Sequence, residues 1–543
     1  MGKRSALLLV IFLSFLSVLC SAETPAGKPS LIILISVDQM RADYLDRFGA
    51  EFTGGFKRLT SEGRVCADAD LNYAQSLTGP GHATLSTGSY PRTHCIVSND
   101  WVDHTTQQDV YCVDDPQAKT VGGEGGGMSP RNLVVTGLGD WIKAVSKQSR
   151  VISVGGKDRS VILMGGKQPD AAFWYSNANG HMVTSDYYGK ELPAWAQQFN
   201  KENWIGKHLP SAWAKLKPEK AYAKDEPDGF AAEWLWENSA SFPHPFSADK
   251  KNKQLQDSPY WDMLILDFAN VAVKSEKLGQ RGVPDLLCLA LSATDYIGHS
   301  FGPNSHEIHD HLLRLDLALG SFLSDMEKDV GKGRVMVALT ADHGVLPLPE
   351  YQAQFQHGGS RRINPEKTIT PRIRALDEQL RREWKINDWL IHTADDEGNF
   401  LNYETARKAG VTPSALQSRV RSGFLSIDGV KAVYFRDDLA AKSPDARPYL
   451  TQFRNGYCAQ RAGDFEVLFC DGCLLDDGTT GTTHGSPYPY DTHVAMLFWG
   501  AGIHEGRVDR EVHTVDVAPT IARLLGIPYP KSVDGIPLSE LTK

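Results

Sequence analysis

Four apolar runs of strand length recur along this chain, and each leads into residues that bind metals or anions. LIILISV leads to Asp38, VISVGG to Lys157 and Arg159, DLLCLALSAT to Asp295 and His299, and RVMVALTA to Asp342 and His343. A run without polar alternation needs apolar cover on both faces, as a parallel strand in an α/β sheet has. In an open sheet the carboxyl ends of such strands converge on one crevice. The runs therefore predict an α/β fold around a mostly parallel sheet, with one site drawn from residues hundreds of positions apart.

The stretch LNYAQSLTGPGHATLSTG, residues 71 to 88, sets Thr78 at a Gly/Pro turn that runs into a short helix. Gly79, Pro80 and Gly81 permit a tight turn and close backbone approach, and the free N–H groups of a helix start face an anion. Thr78 is thus the candidate nucleophile. A threonine before Gly-Pro is more often a turn or cap residue, and its hydroxyl needs a base or a metal to attack anything at neutral pH. The strand tips supply that metal. Asp38, Asp295, His299, Asp342 and His343, with His484 in the loop before VAMLFWG, make three Asp and three His. This mix of oxygen and nitrogen donors suits zinc and is enough for two sites with an open position each. Two metals about 3.5–4 Å apart stabilise both the attacking and the leaving oxygen of a phosphoryl transfer.

Residues 1–22 read as a secretory signal, with Lys3 and Arg4 ahead of an apolar run and small residues ending at Ala22. The run is short for a membrane span, and no later segment competes with it. Cys20 raises the question of a lipid anchor, but Leu19 before it is larger than that cleavage site usually accepts. A protein secreted or periplasmic after signal removal is expected. Loss of Lys3 and Arg4 takes the formal charge from −9 to −11, which argues against a nucleic-acid scaffold. In an oxidising compartment most of the seven remaining cysteines should pair, and an odd count leaves at least one over. Cys95 with Cys112 is the expected local bridge, and Cys288 a buried thiol. The CDGC at 470–473 lacks a second CxxC, so it reads as a disulfide rather than a metal knuckle.

A helix pattern runs from Tyr44 through Arg58. GGEGGG at 122–127 has no strand before it and no Gly-Lys-Ser/Thr after it, and reads as a linker ahead of a helix capped by Ser129. Residues 23–543 are taken as one catalytic domain. The tryptophan-rich stretch of about 185–275 and the stretch of about 360–455 lack the ligand-bearing tips and read as insertions. On a helix expected from Ser305 to Val330, His306, His309 and His311 should face solvent, because helical geometry does not aim all three at one point.

The segments SVDQMRADYL, NYAQSLTGPGHATLSTG, NDW, GGKDR, ATDYIGHSFGP, TADHG, THGSPYPYDTHV and VDVAPTIARLLGIPYP span residues 31 to about 530. They resemble the alkaline phosphatase superfamily, most closely the exported bacterial phosphate-irrepressible alkaline phosphatases with a threonine nucleophile. The resemblance implies a three-layer α/β/α sandwich with inserted subdomains and two Zn2+ per chain. Asp295, His299 and His484 would hold one zinc; Asp38, Asp342, His343 and the Thr78 oxygen would hold the other. It further implies a covalent phosphothreonine, with Asn99, Lys157 and Arg159 binding the non-bridging phosphoryl oxygens. Asp158 is assigned no role.

Threonine-nucleophile nucleotide phosphodiesterases of the superfamily share these metal residues and an equivalent Asn. A monoester brings a dianionic phosphoryl group, and one further unit charge 4 Å from a cation is worth about 4 kcal/mol at an effective dielectric near 20, before desolvation. The cations of GGKDR therefore favour small-molecule phosphate monoesters, with broad specificity, the rest of the ester lying in solvent or near Trp101. A monomer is expected. A diesterase remains the alternative, and behind it a non-catalytic metal- or partner-binding protein, whose sign would be a broken ligand or a replaced nucleophile; none is broken. A sulfatase would need a modified Cys or Ser in CxPxR, where this chain has Thr78-Gly-Pro-Gly-His.

Overall fold

The computed structural model describes residues 27–104, 106–356, 358–394 and 398–542, and the expected signal segment with Cys20 lies outside the described residues. Ten strands form one sheet: β1 (Leu31–Val37), β2 (Arg64–Asp70), β3 (Thr120–Val121), β4 (Val151–Gly155), β5 (Ala171–Ser176), β6 (His181–Ser185), β7 (Asp285–Leu291), β8 (Val335–Thr340), β9 (Met496–Gly500) and β10 (Gly506–His513). Their spatial order is β10-β2-β9-β8-β1-β7-β4-β5-β6-β3. β8, β1, β7, β4 and β5 run parallel, as do β2 and β10, while β9 and β6 are antiparallel to their neighbours.

The continuous apolar runs have the physical reason expected of them. Every residue of β1 is buried; Leu31, Ile33, Ile35 and Val37 pack into one core and Ile32 and Leu34 into a second on the opposite face. Full burial of such side chains is worth about 1.5–3 kcal/mol each. Helices α1 (Thr78–Thr87), α2 (Asp158–Gly165) and, after the others, α6 (Val517–Leu525) cover the second face. The first face is covered by α3 (Tyr260–Glu276), α4 (Ala293–Phe301) and α5 (His306–Val330). The α/β/α sandwich is therefore present. No helix among the described residues is long and apolar enough to cross a membrane.

Beyond β8, strands Ile391–Ala394, Gly398–Leu401, Phe465–Phe469 and Val430–Phe435 make a separate four-stranded antiparallel sheet. With helices Thr370–Trp384 and Pro413–Leu425 it encloses its own apolar cluster. Residues 194–259 form short, irregular elements laid over α3 and α5. Three of their tryptophans, Trp195, Trp204 and Trp213, are pinned through their indole N–H donors, to Glu276 at 2.8 Å, Asp267 at 2.7 Å and Asp310 at 2.7 Å.

This layer overturns the solvent-facing expectation for three histidines. His306, His309 and His311 are 5%, 2% and 0% exposed, because α5 is covered by the tryptophan layer as well as by the sheet side. His309 meets Asp225 at 2.7 Å, His311 meets the Thr294 hydroxyl at 2.8 Å, and His306 packs on Tyr222. The helix expected from Tyr44 to Arg58 is two helices, Asp43–Phe48 and Gly55–Glu62. The buried Asp316 carboxylate breaks it by accepting the N–H groups of Thr53, Gly54, Phe56 and Lys57 at 2.7, 2.6, 2.8 and 3.3 Å. The helix capped by Ser129 is a single turn, Pro130–Asn132.

The local Cys95–Cys112 bridge is also overturned: Cys95 pairs with Cys458, 363 residues away, and Cys470 with Cys473. Cys112 is buried under α1, its sulfur 3.2 Å from where a Gly79 β-carbon would stand. Packing beneath the helix outweighs nearness in sequence. Cys66 and Cys288 are buried free thiols as well.

Candidate active site

Four adjacent parallel strands deliver the site. Asp342 and His343 follow β8, Asp38 follows β1, Asp295 lies in the first turn of α4 after β7, and Lys157 follows β4. β9 runs the opposite way, so the loop that precedes it, with His484, reaches the same edge. Two donor groups result, Asp38 with Asp342 and His343, and Asp295 with His299 and His484; within each, one ligand atom per residue lies within 4.8 Å of the others.

The histidines are oriented for this. The Nδ1 atoms of His299, His343 and His484 donate to the carbonyl oxygens of Thr482, Gly344 and Ser76 at 2.8, 3.0 and 2.7 Å. Carbonyls only accept, so each Nδ1 carries the proton and each Nε2 is left as the donor to a metal. The His299 and His484 Nε2 atoms stand 3.2 and 3.6 Å from Asp295 Oδ1. Asp38 Oδ1 and His343 Nε2 face each other at 3.4 Å, fully buried and without a hydrogen bond. Buried groups so placed call for a cation between them, and the donor set fits zinc.

The electrostatics say the same. Burial, then Asp295 and Asp342, push the Asp38 carboxyl well above its usual range. Burial would raise Asp295 too, but Lys157 and then His299 hold it well below that range. The ammonium of Lys157, 2.5 Å from both Asp38 and Asp295, is a buried positive charge between the two groups. Burial opposes that charge, but Asp295 and Asp38 outweigh it and raise the lysine pKa. His343 is lowered to about 3 by burial, so its ring is neutral, as a ligand requires.

Thr78, 1% exposed, opens α1 beside these groups. Asn99 Oδ1 accepts the Gly79 N–H at 2.8 Å, which leaves the Asn99 amide N–H groups for a ligand. Arg159, on the first turn of α2, reaches the Tyr111 hydroxyl at 3.4 Å, and that hydroxyl donates to Asp158 at 2.6 Å. Asp158, expected to have no role, therefore belongs to the pair that positions Arg159. Arg159 and Lys157 line one cavity of about 270 Å³, together with Gly125 and Gly126 of the glycine-rich stretch. Trp101, expected near the ester, is only 3% exposed and lies under the Arg461 guanidinium.

Two residues escaped the sequence reading. Gln39, in the left-handed region at φ 67°, gives its backbone N–H to Asp342 at 3.2 Å and its amide to Asp295 at 2.8 Å, tying the two donor groups together. His82, one helical turn below Thr78, meets the Thr78 carbonyl at 2.9 Å and Asp342 at 3.2 Å. The signals were a polar residue directly after Asp38 and an i,i+4 partner of Thr78. A third possible donor group, Glu219, Asp228 and His306, already holds the Lys215 ammonium at 2.7 and 2.8 Å from its two carboxylates.

Residues 32–457 match the family described as type I phosphodiesterase / nucleotide pyrophosphatase. The chain is 35% identical to alkaline phosphatase PhoV of Synechococcus elongatus, over 95% of this chain and 94% of that protein. It is also 35% identical to a protein of Myroides odoratus named a calcium-transporting ATPase, over 97% of each. The crystal structure of wild-type alkaline phosphatase PafA, a protein of Elizabethkingia meningoseptica, superposes with a TM-score of 0.88 at 31% identity, covering 96% of this chain and all of that one.

Proposed function

This chain belongs to the type I phosphodiesterase / nucleotide pyrophosphatase family, within the alkaline phosphatase superfamily, and we propose that it is an exported alkaline phosphatase that hydrolyses phosphate monoesters through a phosphothreonine. The observation that carries this reading is the Lys157 ammonium, 2.5 Å from a carboxylate of each donor group, beside Thr78 at a helix start. A dianionic phosphoryl group is the ligand that this charge and those N–H groups suit.

Asp295, His299 and His484 would hold one zinc, and Asp38, Asp342, His343 and Thr78 the other. When bound, the two ions supply the charge that lowers the pKa of the threonine hydroxyl and stabilises the transferring oxygens. The Thr78 oxygen attacks phosphorus, displaces the alcohol in line and carries the phosphoryl group until water releases it. Asn99, Lys157 and Arg159 hold the non-bridging oxygens, a task of positioning and charge stabilisation. Gln39 and His82 keep the donor groups and the nucleophile in register.

The family description raises the diesterase reading, which the two cations beside the reacting group disfavour. Ion transport, the name of the Myroides relative, has no support in this site. The test is the ratio of kcat/KM for an aryl phosphate monoester to that for a matched diester, on zinc-loaded wild type and on a Lys157→Ala/Arg159→Ala variant. A strong monoester preference that collapses in the variant is expected. A wild-type preference for the diester would move the protein to the diesterase branch.

A further inference from the structure

Burial around the donor groups is lopsided. Asp38, Asp342 and His343 are fully buried and Thr78 is 1% exposed, whereas the His299 side chain is 31% exposed. Besides the cavity lined by Lys157 and Arg159, solvent reaches the site from the His299 side, where an ester too large to be enclosed can extend. A group displaced in line leaves on the face opposite the Thr78 oxygen, which lies at the buried floor, so the departing alcohol points toward that opening.

Trp234 stands there. Its backbone N–H donates to the carbonyl of Ser300, the residue directly after His299, at 2.8 Å. The Gly481 N–H donates to Ala232 at 2.7 Å, and the Thr482 N–H to His299 at 2.9 Å, lacing three segments together at the site's rim. The His299 carbonyl oxygen and the Trp234 Nε1 each lie 2.6 Å from where a Gly481 β-carbon would be. Trp234 is nevertheless 53% exposed, and Leu235 beside it is 67% exposed. Two adjacent large apolar side chains exposed beside a reaction site form a patch that a ligand can cover. Trp101, the tryptophan expected near the ester, is buried.

We propose that Trp234 is a specificity-determining residue: its exposed indole face receives the leaving group of the ester, and the favoured substrates are monoesters of aromatic alcohols. This rests on the monoesterase reading above. A flat apolar ring gains by stacking on an indole, and a short alkyl group does not.

The test compares wild type, Trp234→Ala and Trp234→Phe in two ways. One is the ratio of kcat/KM for phenyl phosphate to that for ethyl phosphate; the other is calorimetric binding of phenylphosphonate and methylphosphonate to zinc-loaded protein. Trp234→Ala is expected to lower the ratio about fivefold and to weaken phenylphosphonate about fivefold relative to methylphosphonate, the size of one aromatic pair. Trp234→Phe should recover most of both. An unchanged ratio, or aryl and alkyl ligands weakened alike, overturns the assignment. Should the wild type turn over neither ester, the monoesterase reading falls separately, and the phosphonate pair still decides on Trp234.

Discussion

Replacing Gly81 by alanine sets two effects against each other. Gly81 lies inside α1, where alanine is the better helix former by about 1 kcal/mol, so propensity alone predicts a more stable protein. The structure predicts the reverse. A β-carbon at Gly81 would stand 2.5 Å from Cβ, 2.7 Å from the carbonyl oxygen and 2.9 Å from Cα of Asp342, where ordinary contact begins near 3.4 Å. None of these atoms is the far end of a flexible side chain, and Asp342 follows a central strand, so α1 must retreat. A retreat of about 1 Å carries Thr78 and His82 away from Asp342, a misplacement that costs about 10²-fold in rate. Overpacking of this kind also costs about 1–3 kcal/mol of stability. The assays are kcat/KM on an aryl phosphate at full zinc content, measured by elemental analysis, and thermal denaturation. Gly359→Ala, with nothing within 4 Å of its β-carbon, is the neutral control. Activity of Gly81→Ala within threefold of wild type would refute the reasoning.

Asp316→Ala should destabilise the protein by about 3 kcal/mol, since it strands four N–H donors that one carboxylate now satisfies; a loss under about 1 kcal/mol in urea unfolding would count against that cap. Cys458→Ser should cost about 2–4 kcal/mol and also reduce kcat/KM, because its partner Cys95 anchors the loop that carries Asn99; full activity in the oxidised-buffer assay would separate the bridge from that loop. Burial, with Glu307 adding to it, pushes the Glu226 carboxyl from 4.5 up to about 8. In the folded state Glu226 and the buried Glu233 beside it keep protons that the unfolded chain has released, so stability falls as pH rises above the ordinary glutamate range. Glu226→Gln should flatten the fall in denaturation midpoint between pH 6 and 8, and an unaltered slope would contradict the assignment.

The strand tips were legible because the same physics writes both halves of the signal. A strand buried on both faces cannot afford polar residues until it leaves the sheet, so Asp38, Asp295 and Asp342 stand out directly after their runs. His484 was legible only through the strand that follows it. Gln39 and His82 were not, since their importance lies in contacts with Asp295 and Asp342, some 256 to 303 positions away in the case of Gln39. The same holds for Cys95 and Cys458. The α5 histidines were misjudged because a helical pattern describes one apolar face, and here a second layer closes over the other. Trp101 was misjudged for a related reason: aromatic residues look alike in sequence whether they fill a core or stand at a rim.

β8, β1 and β7 lie side by side, and the three aspartates at their ends come from adjacent strands. Neighbouring strands are about 4.8 Å apart, close to the separation at which a pair of metals acts jointly on phosphorus. On the two-metal reading the main-chain ladder would be a ruler for the ions, cut to length by hydrogen bonds that no side chain sets. The connections between those strands can lengthen freely without recalibrating it, which leaves them open to diversify around an unchanging centre.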